Sequence, residues 1–185
     1  RNYILSPSSI EKDLLRLFKK NDKLIIFDIG GCEGEESIRY SRIFQKSLIY
    51  IFEPLPDNQK LIVSNFVEYN INNIQLVSKA VSDSDAFADF YVSSGHPENQ
   101  KKDLDWNFGN KSNSLLNPVK INNPSWLNFN DKIKVETISL NTFLNENNIS
   151  EVDFIHMDVQ GAELKVLIGA KKYISSIKAI WLEVS

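Results

Sequence analysis

The sequence contains a single cysteine, Cys32, among its 185 residues. A disulfide within the chain is therefore impossible, and this favours a reducing compartment, so we expect a cytoplasmic protein. The sequence also lacks an apolar run of roughly 20 residues, the length that a membrane-spanning helix needs. No segment has the pattern of a secretory leader. We therefore predict a protein without a membrane span.

Positive charge is also scarce. Lysine and arginine number 21 against 24 aspartate and glutamate residues, which gives a formal net charge of -3. This balance argues against binding driven by attraction to nucleic acid or to an anionic membrane surface. The length suits one domain with a full core, and 42% hydrophobic with 24% charged residues is a normal globular composition. We therefore expect no nucleic-acid partner.

Apolar runs alternate with helical patterns along the chain. Buried strands are predicted over 23–30, 47–54, 74–82, 152–159 and 179–185, and further strands over 86–93 and 132–140. Helices are predicted over 35–46, 56–70, 141–148 and 162–176. Strands that alternate with helices predict an α/β fold with a mostly parallel sheet and helices on both faces.

Two segments fall outside this alternation. Residues 1–23 are predicted to form an N-terminal helical segment before a domain over 24–185, because Ser8 and Glu11 have the spacing of a capping box. Residues 94–131 are polar and rich in Gly, Pro and Asn, and a loop of this length is usually either functional or disordered. We interpret it as an acceptor or lid loop, because aromatic rings suit stacking on sugars. The residues predicted to contact the acceptor are His96, Trp106, Ser112 and Ser114.

The first predicted strand ends in a loop with three glycines and four acids, "FDIGGCEGEES", residues 27–37. A P-loop would need a lysine after its last glycine, and the dinucleotide fingerprint would need glycine where Ile29 stands. Acids at the start of the next helix would also repel a pyrophosphate. S-adenosylmethionine carries a sulfonium cation and no phosphate, so the loop suits this donor better.

Further acids follow neighbouring strands, and ligands of parallel sheets bind beyond the carboxyl ends of the strands. Glu53 ends the second strand and could accept hydrogen bonds from both ribose hydroxyls. Asp83 follows the third strand and could reach the adenine amino group. A glycine turn can also reflect tight packing alone. The predicted donor-binding residues are Asp28, Gly30, Gly31, Gly34, Glu53, Pro54, Val81 and Asp83.

The catalytic candidates His156, Asp158 and Glu163 lie in "HMDVQGAE", at the end of a strand expected beside the first. Methyl transfer to a hydroxyl needs in-line geometry and a base, and imidazole has a suitable pKa. His156 and Asp158 point to the same face of the strand. Asp158 could orient the acceptor, act as the base or ligate a divalent metal such as Mg²⁺, or simply cap the helix. His156 could equally be a hydrogen-bonded core histidine.

These motifs resemble the FkbM family of S-adenosylmethionine-dependent methyltransferases over residues 24–185. "FDIGGCEG" is similar to the family's D-x-G-A-N-x-G loop, "FEPLPDN" to its E-P-x-P segment and "KSNSLL" to its S-x-S-L stretch. The block over 135–170 is the most specific part. The resemblance implies a Rossmann-like class I methyltransferase fold and O-methylation of a sugar, a glycan or a related small metabolite. It implies donor contacts for Asp28, Gly30, Gly34, Glu53 and Asp83, and places Asp158 and Glu163 near the reaction centre.

The chain departs from the family pattern at four positions. Cys32 stands where asparagine is usual, Asn141 where aspartate is, His156 where lysine is and Gln160 where glutamate is. These departures leave open a catalytically silent adenosyl-binding module that serves a partner enzyme. A nicotinamide oxidoreductase is a third hypothesis. The final β-hairpin common in methyltransferases is not visible in the sequence, and a homodimer is one way to complete that edge of the sheet.

Overall fold

The structure is a computed structural model that describes residues 2–100, 107–118 and 124–183. The strands are β1 (Ile25–Ile29), β2 (Leu48–Phe52), β3 (Ile74–Val77), β4 (Ala80–Ser82), β5 (Ala86–Ser94), β6 (Asn128–Ser139), β7 (Val152–Met157) and β8 (Ile177–Leu182). The helices are α1 (Glu11–Leu17), α2 (Glu35–Ile43), α3 (Pro56–Glu68), α4 (Leu140–Glu146) and α5 (Glu163–Ala170). Short 3-10 helices cover Asn2–Leu5, Phe108–Asn110 and Lys171–Ser176.

The main sheet contains five parallel strands in the order β3-β2-β1-β7-β8. Successive residues of β1 point to opposite faces of this sheet. Phe27 packs in one cluster with Phe143 of α4 and Val166 of α5. Ile26 packs in another cluster with Tyr40 of α2 and other residues of α1 and α2. Helices therefore cover both faces, which confirms the predicted mostly parallel α/β architecture.

The third predicted strand, 74–82, is wrong as one strand. β3 ends at Val77, and β4 begins at Ala80 in a second sheet of order β4-β6-β5. The Lys79 N–H donates to the Val77 carbonyl oxygen at 2.9 Å, so a tight turn separates the two strands. β4 runs parallel to β6, and β5 runs antiparallel to it. Two short strands in different sheets thus give one continuous apolar run in the sequence.

The predicted capping box at the N-terminus is also wrong. α1 begins at Glu11 with Ile10 at the N-cap position, and no side chain caps it. The Ser8 hydroxyl instead donates to Glu36 Oε2 on α2 at 2.7 Å. A tertiary partner has therefore taken the hydroxyl that the local pattern assigned to the helix start.

The predicted loop over 94–131 is shorter in the structure, because β6 already begins at Asn128. Within it, Ser114 forms an isolated antiparallel bridge with Tyr91 of β5. This bridge holds the segment 107–118 against the second sheet. Within the described ranges, no helix is both long and apolar enough to cross a membrane.

Candidate active site

A cleft of about 490 Å³ opens at the carboxyl ends of β1, β2 and β7. This is where parallel sheets bind their ligands, and the volume is typical of a small-molecule site. Of the residues predicted from the sequence, the cleft is lined by Asp28, Gly30, Gly31, Glu53, Pro54, Val81, Ser112, His156 and Asp158. Residues from distant parts of the chain therefore meet in one place.

The glycine loop fits closely between neighbouring strands. A Cβ atom at Gly30 would lie 1.9 Å from the carbonyl oxygen of Asp158, and one at Gly31 would lie 2.2 Å from the Ile51 side chain. Gly30 also has a φ of +87°, which favours glycine. The packing requirement is therefore enough to explain these two glycines, independently of any ligand.

The amide N–H groups of residues 30–34 are all used inside the protein. Gly30 and Gly31 donate to the Phe52 carbonyl oxygen at 3.0 and 3.2 Å. Cys32 donates to the Glu53 carboxylate at 3.0 Å. The remaining donations run from Glu33 to the Glu35 carboxylate at 3.2 Å and from Gly34 to the Gly31 carbonyl oxygen at 2.7 Å. A phosphate would find no free amide in this loop, so the structure supports the argument made from its acids.

Glu53 is a buried carboxylate in a fixed orientation at the end of β2. Only 4% of its surface is exposed. Burial raises the pKa of Glu53 to about 7, although hydrogen bonds from the Leu55 N–H, Asn58 and the Cys32 N–H oppose that rise. A carboxylate has about four acceptor positions. The two backbone donors and Asn58 therefore leave about one position for a hydroxyl donor in the cleft.

Asp28 and His156 form a buried pair across β1 and β7. The two residues are direct neighbours in the register of these strands. His156 Nδ1 lies 3.2 Å from Asp28 Oδ1, and the Ser37 hydroxyl donates to Asp28 Oδ2 at 2.6 Å. Burial alone would lower the pKa of His156, but Asp28, helped by the charges of Glu36 and Asp158, outweighs burial and raises it. His156 is thus held in place and made more basic.

Two aromatic residues surround the His156 ring. Trp181 of β8 packs on it with a centroid distance of 4.6 Å, and Tyr40 of α2 contacts it edge-on at 5.8 Å. All three residues line the cleft. Tyr40 is buried, and burial raises the pKa of its hydroxyl. This end of the cleft therefore combines aromatic surface with a hydroxyl and an imidazole.

Asp158 stands at the exit of β7. Its carboxylate accepts a hydrogen bond from the Gln160 amide nitrogen at 2.6 Å, and burial raises the pKa of Asp158 to about 6. Glu163 does not line the cleft; it accepts the Gly161 N–H at 3.1 Å and so fixes the loop after Asp158. Among the described residues, no group of three or more His, Cys, Asp and Glu side chains has the arrangement of a metal site.

Several predicted site residues lie away from the cleft. Asp83 accepts the Ser84 hydroxyl at 3.1 Å and faces Lys165 of α5 at 3.8 Å. His96 Nδ1 lies 2.8 Å from the Pro97 carbonyl oxygen. The predicted ligand contacts of Asp83 and His96 therefore have no support in this placement.

Ser114 and Gly34 have structural roles outside the cleft lining. Ser114 donates to the Gln160 carbonyl oxygen at 2.9 Å, so it ties the segment 107–118 to the loop after β7 instead of lining the cleft. Gly34, with a φ of +84°, is the N-cap of α2 and also lies outside the lining. Trp106 lies outside the described residues.

Trp181 and Lys111 are among the lining residues that were not predicted from the sequence. Trp181 stands opposite His156 in the register of β7 and β8, which an apolar strand pattern does not reveal. Lys111 reaches Glu35 across 76 positions of sequence, and its only signal was its place as the first residue of the motif "KSNSLL". Burial raises the pKa of the Cys32 thiol, so Cys32 is a neutral wall residue and not a nucleophile.

The chain is similar to proteins of known family. It is 29% identical over 181 residues to the 2-O-methyltransferase NoeI of Sinorhizobium fredii, a match that covers 97% of this chain and 70% of that protein. It is 25% identical over 151 residues to Methyltransferase 1 of Beauveria bassiana, covering 80% of this chain and 59% of that one.

The fold is also found in a solved structure. The crystal structure of the methyltransferase FkbM from Methylobacillus flagellatus KT superposes with a TM-score of 0.57 at 15% identity. The match covers 96% of this chain and 37% of that chain, and it supports the predicted Rossmann-like methyltransferase fold. The methyltransferase FkbM domain matches residues 28–185. The match takes in the glycine loop, Glu53 and the strand that carries His156 and Asp158, and the chain belongs to the FkbM methyltransferase family.

Proposed function

We propose that the protein is an S-adenosylmethionine-dependent O-methyltransferase that acts on a hydroxyl of a sugar, a glycan or a related small metabolite. The observation that carries this proposal is the single cleft that joins the glycine loop and Glu53 to the Asp28–His156 pair. The name of the 2-O-methyltransferase NoeI supports oxygen as the methylated atom.

The donor half of the cleft is formed by the ends of β1 and β2. Glu53 would accept a ribose hydroxyl with the oxygen position that Leu55, Cys32 and Asn58 leave open. The carboxylates of Asp28 and Glu53 suit a cationic donor, and the glycine loop has no free amide for a phosphate. S-adenosylmethionine, when bound there, supplies an electrophilic methyl carbon.

The acceptor half is formed by the ends of β7 and β8. The Asp28 carboxylate accepts the Nδ1 proton of His156, which leaves Nε2 as the basic nitrogen that takes the proton of the acceptor hydroxyl. Asp158, held by Gln160, would orient that hydroxyl toward the methyl carbon. The Trp181 ring lies beside this position and suits packing against the apolar face of a sugar.

The test is a transfer assay with S-adenosylmethionine that carries a labelled methyl group and a crude glycan extract, with and without magnesium. We expect label in a glycan fraction as an ether that resists mild base. Asp158→Asn should lower the rate at least about tenfold, because the acceptor loses its orienting charge. The same variant should bind S-adenosylhomocysteine as the wild type does.

A catalytically silent adenosyl-binding module would instead bind S-adenosylhomocysteine without transferring a methyl group. If the wild type binds S-adenosylhomocysteine but labels no fraction from glycans or small metabolites, the methyltransferase proposal is contradicted. Label released by mild base would indicate an ester, and so a carboxylate acceptor instead of a hydroxyl.

A further inference from the structure

Lys111 forms a mostly buried ion pair with Glu35 beside the glycine loop. The Nζ atom donates to Glu35 Oε1 at 2.6 Å, and the exposed fractions of the two side chains are 19% and 12%. Lys111 Nζ also lies 3.4 Å from the Cys32 sulfur. Both members of the pair line the cleft.

The position of Lys111 is fixed by its neighbours. The Asn110 side chain donates to Asn58 Oδ1 of α3 at 2.5 Å, and the Cys32 thiol contacts the Asn110 carbonyl oxygen at 3.4 Å. Burial opposes the charge on Lys111, but the carboxylates of Glu35 and nearby Glu33 outweigh it and raise the pKa of Lys111. The cleft is therefore provided with a preorganised cation next to a preorganised anion.

Lys111 is a cation in a cleft whose charged side chains are mainly carboxyl groups. Its lining carries the carboxyl side chains Asp28, Glu35, Glu36, Glu53, Asp158 and Glu183. Among the described residues of the lining, the other lysine or arginine is Arg39, whose guanidinium donates to Glu36 and to the Tyr3 carbonyl oxygen. A ligand carboxylate would be repelled here unless a cation received it, and the loop amides are already used.

The amino-acid end of S-adenosylmethionine carries a carboxylate and an ammonium on one carbon atom. The Lys111–Glu35 pair presents the complementary charges side by side. We propose that this pair binds the amino-acid end of the donor, with Lys111 receiving the carboxylate and Glu35 the ammonium. This inference rests on the proposed function. It also makes the segment 107–118 part of the donor site, because that segment carries Lys111.

The test compares calorimetric binding of S-adenosylhomocysteine with that of its decarboxylated analogue. Lys111→Met should weaken binding of S-adenosylhomocysteine about 10- to 100-fold, the effect expected for loss of a charge-assisted hydrogen bond. It should weaken binding of the decarboxylated analogue less than about threefold. Lys60→Met is the matched control, because Lys60 pairs with Asp57 in solvent on α3. It should leave both affinities unchanged.

An equal loss for both ligands would overturn the inference, because Lys111 would then act only by neutralising Glu35 and holding the segment. No loss for either ligand would overturn it too. If Lys111→Met does not fold, Glu35→Gln tests the same pair. Glu35→Gln should weaken binding of S-adenosylhomocysteine more than binding of its deaminated analogue, and Glu68→Gln is the control. Equal losses of affinity for the two ligands would again overturn the inference. A wild type that binds neither ligand would contradict the proposed function itself.

Discussion

Replacement of His156 by glutamine is expected to lower kcat for methyl transfer by about 10²- to 10⁴-fold, the usual contribution of a general base. Glutamine keeps a hydrogen-bonding side chain beside Asp28 but has no basic nitrogen. The affinity for S-adenosylhomocysteine should change less than about threefold, because the lost function is proton transfer and not donor binding. Steady-state kinetics with the glycan fraction that accepts the labelled methyl group, together with calorimetry, measure both quantities.

The pH dependence identifies the base. His156 works as a base only when neutral, so kcat should rise with pH through the pKa of His156. Because Asp28 raises that pKa, the midpoint should lie above the ordinary imidazole value of about 6.5. In His156→Gln this limb should disappear from the residual activity. An unchanged profile would contradict the role of His156, and a midpoint near 6 would point to Asp158 instead.

The other histidine of the chain provides the control. The His96 ring packs against Phe108 and does not line the cleft. His96→Gln should therefore change kcat by less than about twofold, within the range of a substitution outside the site. A loss as large as that in His156→Gln would show that the region around His96 closes on the acceptor.

Gly30→Ala is expected to destabilise the fold by about 2–5 kcal/mol. This sum combines a left-handed backbone penalty of about 1–2 kcal/mol with an overpacking cost of about 1–3 kcal/mol. The added Cβ would lie 1.9 Å from the Asp158 carbonyl oxygen, a backbone atom that cannot rotate away. Relief of the clash would separate β1 from the end of β7, so donor affinity should fall as well. Urea unfolding gives the free energy of unfolding, and calorimetry gives the affinity.

Gly34→Ala is a matched control for the clash. Gly34 has nearly the same backbone angle, a φ of +84°, but its added Cβ would meet side-chain atoms no closer than 3.5 Å. Only the backbone penalty of about 1–2 kcal/mol should remain. Equal destabilisation by the two substitutions would show that the close approach of Gly30 to Asp158 does not hold in solution.

The parallel sheet and much of the cleft could be predicted from sequence. Buried strands separated by helices bring their carboxyl ends to one edge, and this rule brought together Asp28, Glu53, His156 and Asp158. The acids of the glycine loop excluded a phosphate by simple electrostatics. The structure adds a second reason, because the loop amides donate to Phe52, Glu53 and other internal acceptors.

Features decided by distant partners could not be predicted. Ser8 has a capping-box pattern, yet its hydroxyl bonds to Glu36 on another helix. Asp83 follows an apolar run that ends in the second sheet, so its side chain faces Lys165. Lys111 contacts Glu35 only because the segment around Lys111 packs over the glycine loop, and this contact is not visible in the local sequence. In each case a tertiary contact competes with a local pattern, and the local pattern carries no sign of that contact.

A thermal-shift panel with S-adenosylhomocysteine, NAD and ATP tests the central claim most directly. A ligand that binds the folded state raises its apparent stability by about 2.7 kcal/mol at 100 times Kd. We expect S-adenosylhomocysteine to raise the Tm, and NAD and ATP to leave it unchanged, because the loop over 30–34 offers no free amide to a phosphate. A rise with NAD or ATP, or none with S-adenosylhomocysteine at high concentration, would contradict the assignment of this cleft to a methyl donor.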